Sequence, residues 1–93
     1  MAADNDNIIF VGKKPVMSYV LACMTQFNGG RKEIVLKARG RAINHAVDIA
    51  EIVRRKFACG SEIKLVKIGT EEVPVEGGEK LNISTVEITL SKA

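Results

Sequence analysis

The chain has 93 residues, 46% of them hydrophobic and 27% charged, with a formal net charge of +3 at pH 7. That is enough for one small domain with a real core, and such a core often gains stability by dimerising. The polar, acidic start Met-Ala-Ala-Asp-Asn-Asp-Asn does not fit a secretory signal, and no apolar run is long enough to span a membrane.

Residues 1–7 read as a disordered tail, leaving 8–93 as the domain. Ile8–Val11 is an apolar run of strand length, and Pro15 fits the first turn of the helix that follows. That helix runs to about Phe27, with Val16, Val20, Met24 and Phe27 at helical spacing. So few of its positions are polar that most faces should be covered. Asn28-Gly29-Gly30 supplies a left-handed stop.

Glu33–Ala38 reads as a second strand. A second helix opens near Arg41 and runs to about Phe57, with Ile43, Ala46, Val47, Ala50 and Val53 as its core stripe. Arg54, Arg55 and Lys56 suit the negative end of its dipole. Two long β patterns, within 62–90, flank Glu76-Gly77-Gly78-Glu79, a short-hairpin signal in which both glycines take positive φ. Their apolar alternation changes phase after Leu65 and again after Ile83. The matched shifts suggest a bulge or bend, with the outer half turned away from the core and projecting as an arm, and Pro74 on its exposed edge. The order β-α-β-α-β-β predicts an α/β domain: a four-stranded mixed sheet, two helices on one face and an extended C-terminal hairpin.

Charge is unevenly spread. Residues 8–41 hold seven basic groups (Lys13, Lys14, Arg31, Lys32, Lys37, Arg39, Arg41) against Glu33 alone, whereas 42–93 hold seven basic and eight acidic groups. Gly12-Lys13-Lys14 and Arg39-Gly40-Arg41 each follow a strand pattern and precede a helix. A right-handed crossover makes the two strands parallel, so both turns reach one sheet edge. Cationic side chains beside two helix N-termini make a phosphate site, and a polyphosphate partner is the leading expectation.

Other chemistry fits poorly. Gly12-Lys13-Lys14 lacks the glycine spacing of a nucleotide phosphate loop, and Pro15 stands where a hydroxyl should bind magnesium. Ser18, His45 and Asp48 offer hydrolase residue types, but no strained nucleophile turn is visible. Cys23 and Cys59 have no metal-like spacing and read as buried thiols. No enzyme activity, metal or cofactor is expected. The hairpin tip carries Glu76 and Glu79 with Lys80 nearby, and Glu71 and Glu72 lie further down, a composition that suits protein contact better than nucleic acid.

Ile-Phe-Val-Gly-Lys-Lys-Pro-Val-Met-Ser-Tyr-Val at 9–20 and Lys-Ala-Arg-Gly-Arg-Ala-Ile at 37–43 resemble the Alba family of small archaeal chromatin and RNA-binding proteins. Ala-Val-Asp at 46–48 and Ser-Thr-Val-Glu-Ile at 84–88 match as well, and the likeness covers about 8–92. The resemblance implies a fold like the C-terminal domain of translation initiation factor three. It also implies a homodimer whose basic edges form one saddle and whose hairpins extend as arms. Its members bind double-stranded DNA with little sequence preference, and many bind RNA; cytoplasmic, chromosome-associated protein is the implied setting.

By position, Lys13 and Lys14 take the place of a central lysine pair that some members acetylate reversibly, which implies a lysine acetylase and deacetylase as partners. Arg39 and Arg41 take that of flanking phosphate-binding arginines. Asn44 and His45 follow as polar contacts, and Phe57 matches an aromatic of dimer–dimer contact. The acidic arm departs from the many relatives that are basic there. Two other readings stand beside chromosomal DNA binding: an RNA chaperone or RNase P-like subunit, and a protein-interaction module that uses the acidic hairpin.

Overall fold

The computed structural model describes residues 7–57 and 60–92. Six elements follow in order: β1 (Ile8–Phe10), α1 (Val16–Asn28), β2 (Glu33–Arg39), α2 (Ile43–Ile52), β3 (Glu62–Pro74) and β4 (Lys80–Ser91). A 3-10 turn at Gly40–Ala42 leads into α2, and a π turn at Val53–Phe57 leaves it. The sheet order is β1-β2-β4-β3, with β1 parallel to β2 and the other pairings antiparallel. This is the expected mixed sheet and element order. Residues 1–6 of the expected tail and Cys59 lie outside the described residues. The side chain of Asn7 donates to the Glu33 carbonyl, and its own carbonyl accepts from the Val35 N–H.

Both helices pack on one face of the sheet. On β2 the period-2 alternation sends Ile34, Leu36 and Ala38 into the core, and on β4 it sends Val86, Ile88 and Leu90. Val20, Cys23 and Phe27 of α1 meet them, together with Ala46, Ile49, Ala50 and Val53 at and just beyond α2. Each large aliphatic or aromatic group so buried contributes about 1.5–3 kcal/mol. Burial also pushes the Cys23 thiol up to about 12.

Two details of the expected packing are corrected, and the expected bulge in the hairpin is present. Val47 is exposed and Ile49 takes its place in the core, because 46, 49, 50 and 53 form the tighter i, i+3, i+4, i+7 stripe. Met17 and Leu21 of α1 are also exposed, so this helix is not covered on most of its faces within one chain. The hairpin carries one register shift, between Ile63 and Leu65 on β3, and the pairing of β4 is continuous through Ile83. Leu81 and Ile83 face away from the helices without a bulge. In the arm neither face meets the core, so apolar groups can sit on either.

The arm itself is as expected. β2 pairs with β4 only as far as Arg39 opposite Thr85, whereas β3 stays paired with β4 out to Pro74 opposite Lys80. Five residues per strand therefore extend beyond the body, about 16 Å at the usual rise. Gly77 and Gly78 both have positive φ (93° and 84°), and the Val75 N–H donates to the Glu79 carbonyl at 3.0 Å to close the turn. No helix among the described residues is long and apolar enough to cross a membrane.

Candidate nucleic-acid interface

The parallel β1–β2 pair sets the site. Phe10 lies opposite Lys37, and the Val11 N–H donates to the Lys37 carbonyl at 2.8 Å. The chain after Val11 and the chain after Arg39 therefore leave the same sheet edge. Lys13 and Lys14 are exposed on the first turn, and Arg39 and Arg41 on the second. Asn44 is exposed one residue into α2, and His45 is half-buried with an enclosed Nδ1 that has no hydrogen-bond partner among the described residues.

The first turn is fixed by a residue that the sequence reading passed over. Tyr19 is buried on the inner face of α1, and its hydroxyl accepts from the Gly12 N–H at 2.9 Å and the Lys14 N–H at 3.2 Å. A buried tyrosine needs a partner for its oxygen, and this was the signal available in the sequence. Two backbone donors of the turn are thereby occupied. Those two amides are therefore not free for an anion, which leaves the exposed Lys13 and Lys14 side chains as the cationic groups of this turn. Pro15 caps α1 with extended ψ (144°), one residue earlier than its expected place in the first turn.

The second turn depends on Gly40, whose φ of +57° disfavours a side chain. A Cβ there would stand 3.5 Å from Ile83 Cγ2, so the base of the arm lies against this turn. A second link joins the same two parts. Arg39 Nη1 donates to Glu71 Oε1 at 2.6 Å, and both side chains are about half exposed. Sequence reading treated Arg39 as free for phosphate and Glu71 as part of the arm, whereas the fold pairs them. Lys13, Lys14 and Arg41 have no ion-pair partner among the described residues. At the far end of α2, Arg54 and Arg55 both reach Glu51 and hold its carboxyl below the usual carboxylate range.

The Alba family model matches residues 7–70. The chain belongs to the Alba family. It is 59% identical over 87 residues to the DNA/RNA-binding protein Alba of Methanocella arvoryzae, covering 94% of this chain and 91% of that one. DNA/RNA-binding protein Alba 1 of Archaeoglobus fulgidus is 54% identical over 94% and 97% of the two chains. Alba from Thermoplasma volcanium has the same fold at a TM-score of 0.87 and 51% identity, covering 92% of this chain and 100% of that one. ALBA1 from Trypanosoma brucei gives 0.75 at 26% identity, covering 95% and 70%.

Proposed function

We propose that this chain is a non-enzymatic nucleic-acid-binding protein that docks on the phosphates of double-stranded DNA with little sequence preference and coats or compacts the chromosome. The observation that carries this reading is the shared sheet edge of two basic turns, with Lys13, Lys14 and Arg41 exposed and without an ion-pair partner among the described residues. Lysine and arginine heads on a turn bind phosphate without reading bases. Relatives named DNA/RNA-binding protein, more than half identical over nearly the whole chain, point the same way.

The reading includes a homodimer. Ile63, Val66 and Ile68 are exposed on the helix side of the edge strand β3, and Ile68 is 80% exposed. With Val47 on α2, this is apolar surface that a second copy would cover. Phe57, also exposed, suits contact between dimers along DNA. Acetylation of Lys13 or Lys14 would remove a charge and weaken docking. A cytoplasmic, chromosome-bound location follows from this reading. The names of the relatives also support RNA as a target, with a role as chaperone or RNase P-like subunit. The acidic arm, with Glu72 paired to Lys80, is the part suited to protein contact.

Binding to matched duplex DNA and duplex RNA across a salt series tests the proposal, with a Lys13→Gln/Lys14→Gln/Arg41→Gln variant alongside. Four cations per subunit give a log–log slope of up to about −7 for a dimer on B-DNA. The triple variant should lose most of the binding and flatten the slope. Equal binding by the variant, or none by the native chain at low salt, would defeat the reading.

A further inference from the structure

The face of the sheet opposite the helices is open. Register places Phe10, Lys37, Glu87 and Lys67 in one row across all four strands, with Arg39 and Thr85 in the next. Phe10 is 72% exposed at the end of β1. A concavity of about 480 Å³ lies on this face, lined among others by Phe10, Lys37, Arg39, Glu71, Thr85 and Glu87. Its two acidic groups are each paired with a cation, Arg39 with Glu71 at 2.6 Å and Lys37 with Glu87 at 3.9 Å. The concavity shares Arg39 with the basic edge, and its lining includes Val11, the last residue before the Gly12–Lys14 turn.

We propose that this open face is a second binding site, for single-stranded nucleic acid, in which a base stacks on Phe10 and the flanking phosphates meet Lys37 and Arg39. An aromatic ring on a solvent-facing strand, with cations one residue across and two residues along, is what sequence-tolerant single-strand binding needs. A duplex cannot use the ring, because its bases are stacked on each other. Glu71 and Glu87 are positioned to release their cations to phosphate and to accept hydrogen bonds from the base edge. Continuity through Arg39 lets one strand pass from the sheet face to the lysine turn. The site deepens the proposed nucleic-acid function, and it adds Phe10 and Lys37 to Arg39, the residue it shares with the duplex-docking turns.

The test uses the full chain with labelled oligo(rU), labelled oligo(dT) and a duplex of equal length. Phe10→Ala should weaken binding to both single strands by roughly 5- to 150-fold, the range for loss of one base–aromatic stack. Duplex affinity should stay within about twofold, since no phosphate contact is removed. Phe10→Trp should retain single-strand binding and report it by fluorescence quenching, in a chain that otherwise has no Trp. Unchanged single-strand affinity in Phe10→Ala, or an equal loss on duplex, overturns the proposal. Because Phe10 is exposed, its truncation should leave the fold intact, checked by thermal unfolding. If duplex binding is absent while Phe10-dependent single-strand binding is present, the duplex-docking reading fails and this site stands. The reverse pattern leaves duplex docking and removes this site.

Discussion

Replacing Glu71 with Gln should increase affinity for duplex DNA. In the free protein the Glu71 carboxylate holds Arg39 in a 2.6 Å ion pair, with the two side chains 51% and 58% exposed. A phosphate that takes Arg39 must first displace it. Half-exposed pairs of this kind are worth about 0.2–1 kcal/mol. Removing that competition gains about 1.4- to 5-fold per subunit, or about 2- to 30-fold for a dimer that engages both edges. The salt slope should steepen by up to about 0.9 per subunit, as Arg39 becomes a full contributor to counterion release. Folding stability should fall by no more than about 1 kcal/mol.

The assay is fluorescence anisotropy on a labelled duplex across a salt series, with Glu72→Gln as control. Glu72 removes the same charge from the same arm, but its partner is Lys80, at 3.7 Å and near the arm's end. A gain in Glu71→Gln that exceeds the control assigns the effect to Arg39. Equal gains would mean that the arm acts only through its overall charge, and no gain would mean that Arg39 does not contact phosphate.

Tyr19→Phe leaves the Gly12 and Lys14 amides without their acceptor. It should cost about 1–3 kcal/mol, roughly 4–8 °C of Tm per kcal/mol in a domain this size, with faster hydrogen exchange at those two amides. Gly40→Ala forces a side chain into φ +57° and should cost about 1–2 kcal/mol in denaturant unfolding, and Gly40→Asn less, since Asn tolerates that region. Burial pushes the folded Cys23 thiol up to about 12, from 9.0 for an unperturbed thiol. Its contribution to stability is therefore complete below pH 9 and is lost as pH rises toward 12, at up to about 1.4 kcal/mol per unit. In Cys23→Ala that part of the alkaline slope should disappear.

What was legible in the sequence is what local chemistry decides. Gly77-Gly78 demands positive φ wherever the hairpin lies, Pro15 opens a helix, and the strand–turn–helix order brings both basic turns to one edge. What was not legible depends on register. Arg39 and Glu71 are 32 residues apart, and only the pairings of β4 with both β2 and β3 bring them together. The core stripe of α2 was ambiguous because apolar residues sit on several of its faces. Contact with the sheet, not periodicity, chooses Ile49 over Val47. The exposure of Phe10 was hidden for a similar reason. In a three-residue strand of all apolar residues, only pairing shows which side faces the helices.

The arm and the phosphate edge are mechanically one unit. The arm touches the second basic turn twice: Ile83 lies where a Gly40 Cβ would make van der Waals contact, and Glu71 holds Arg39. Ile83 stands beside Gly40 with room for an ordinary van der Waals contact, whereas the half-exposed Arg39 ion pair is open to exchange with phosphate. Docking on a backbone would thus trade one arm contact for a ligand contact. It would also place four arm carboxylates, Glu71, Glu72, Glu76 and Glu79, near the same polyanion. Like charges on that side raise the free energy of any pose in which the arm follows the groove, and favour one in which it points away. On the proposed duplex-docking reading, the acidic arm would limit how closely a duplex wraps this protein and would leave the hairpin free for another partner. Shortening the hairpin to a tight turn beyond Thr70 and Ser84 would remove Glu71 and the rest of this opposition together. If the reasoning holds, duplex affinity in that variant rises at least as far as in Glu71→Gln. A fall would show instead that the arm grips the duplex despite its charge.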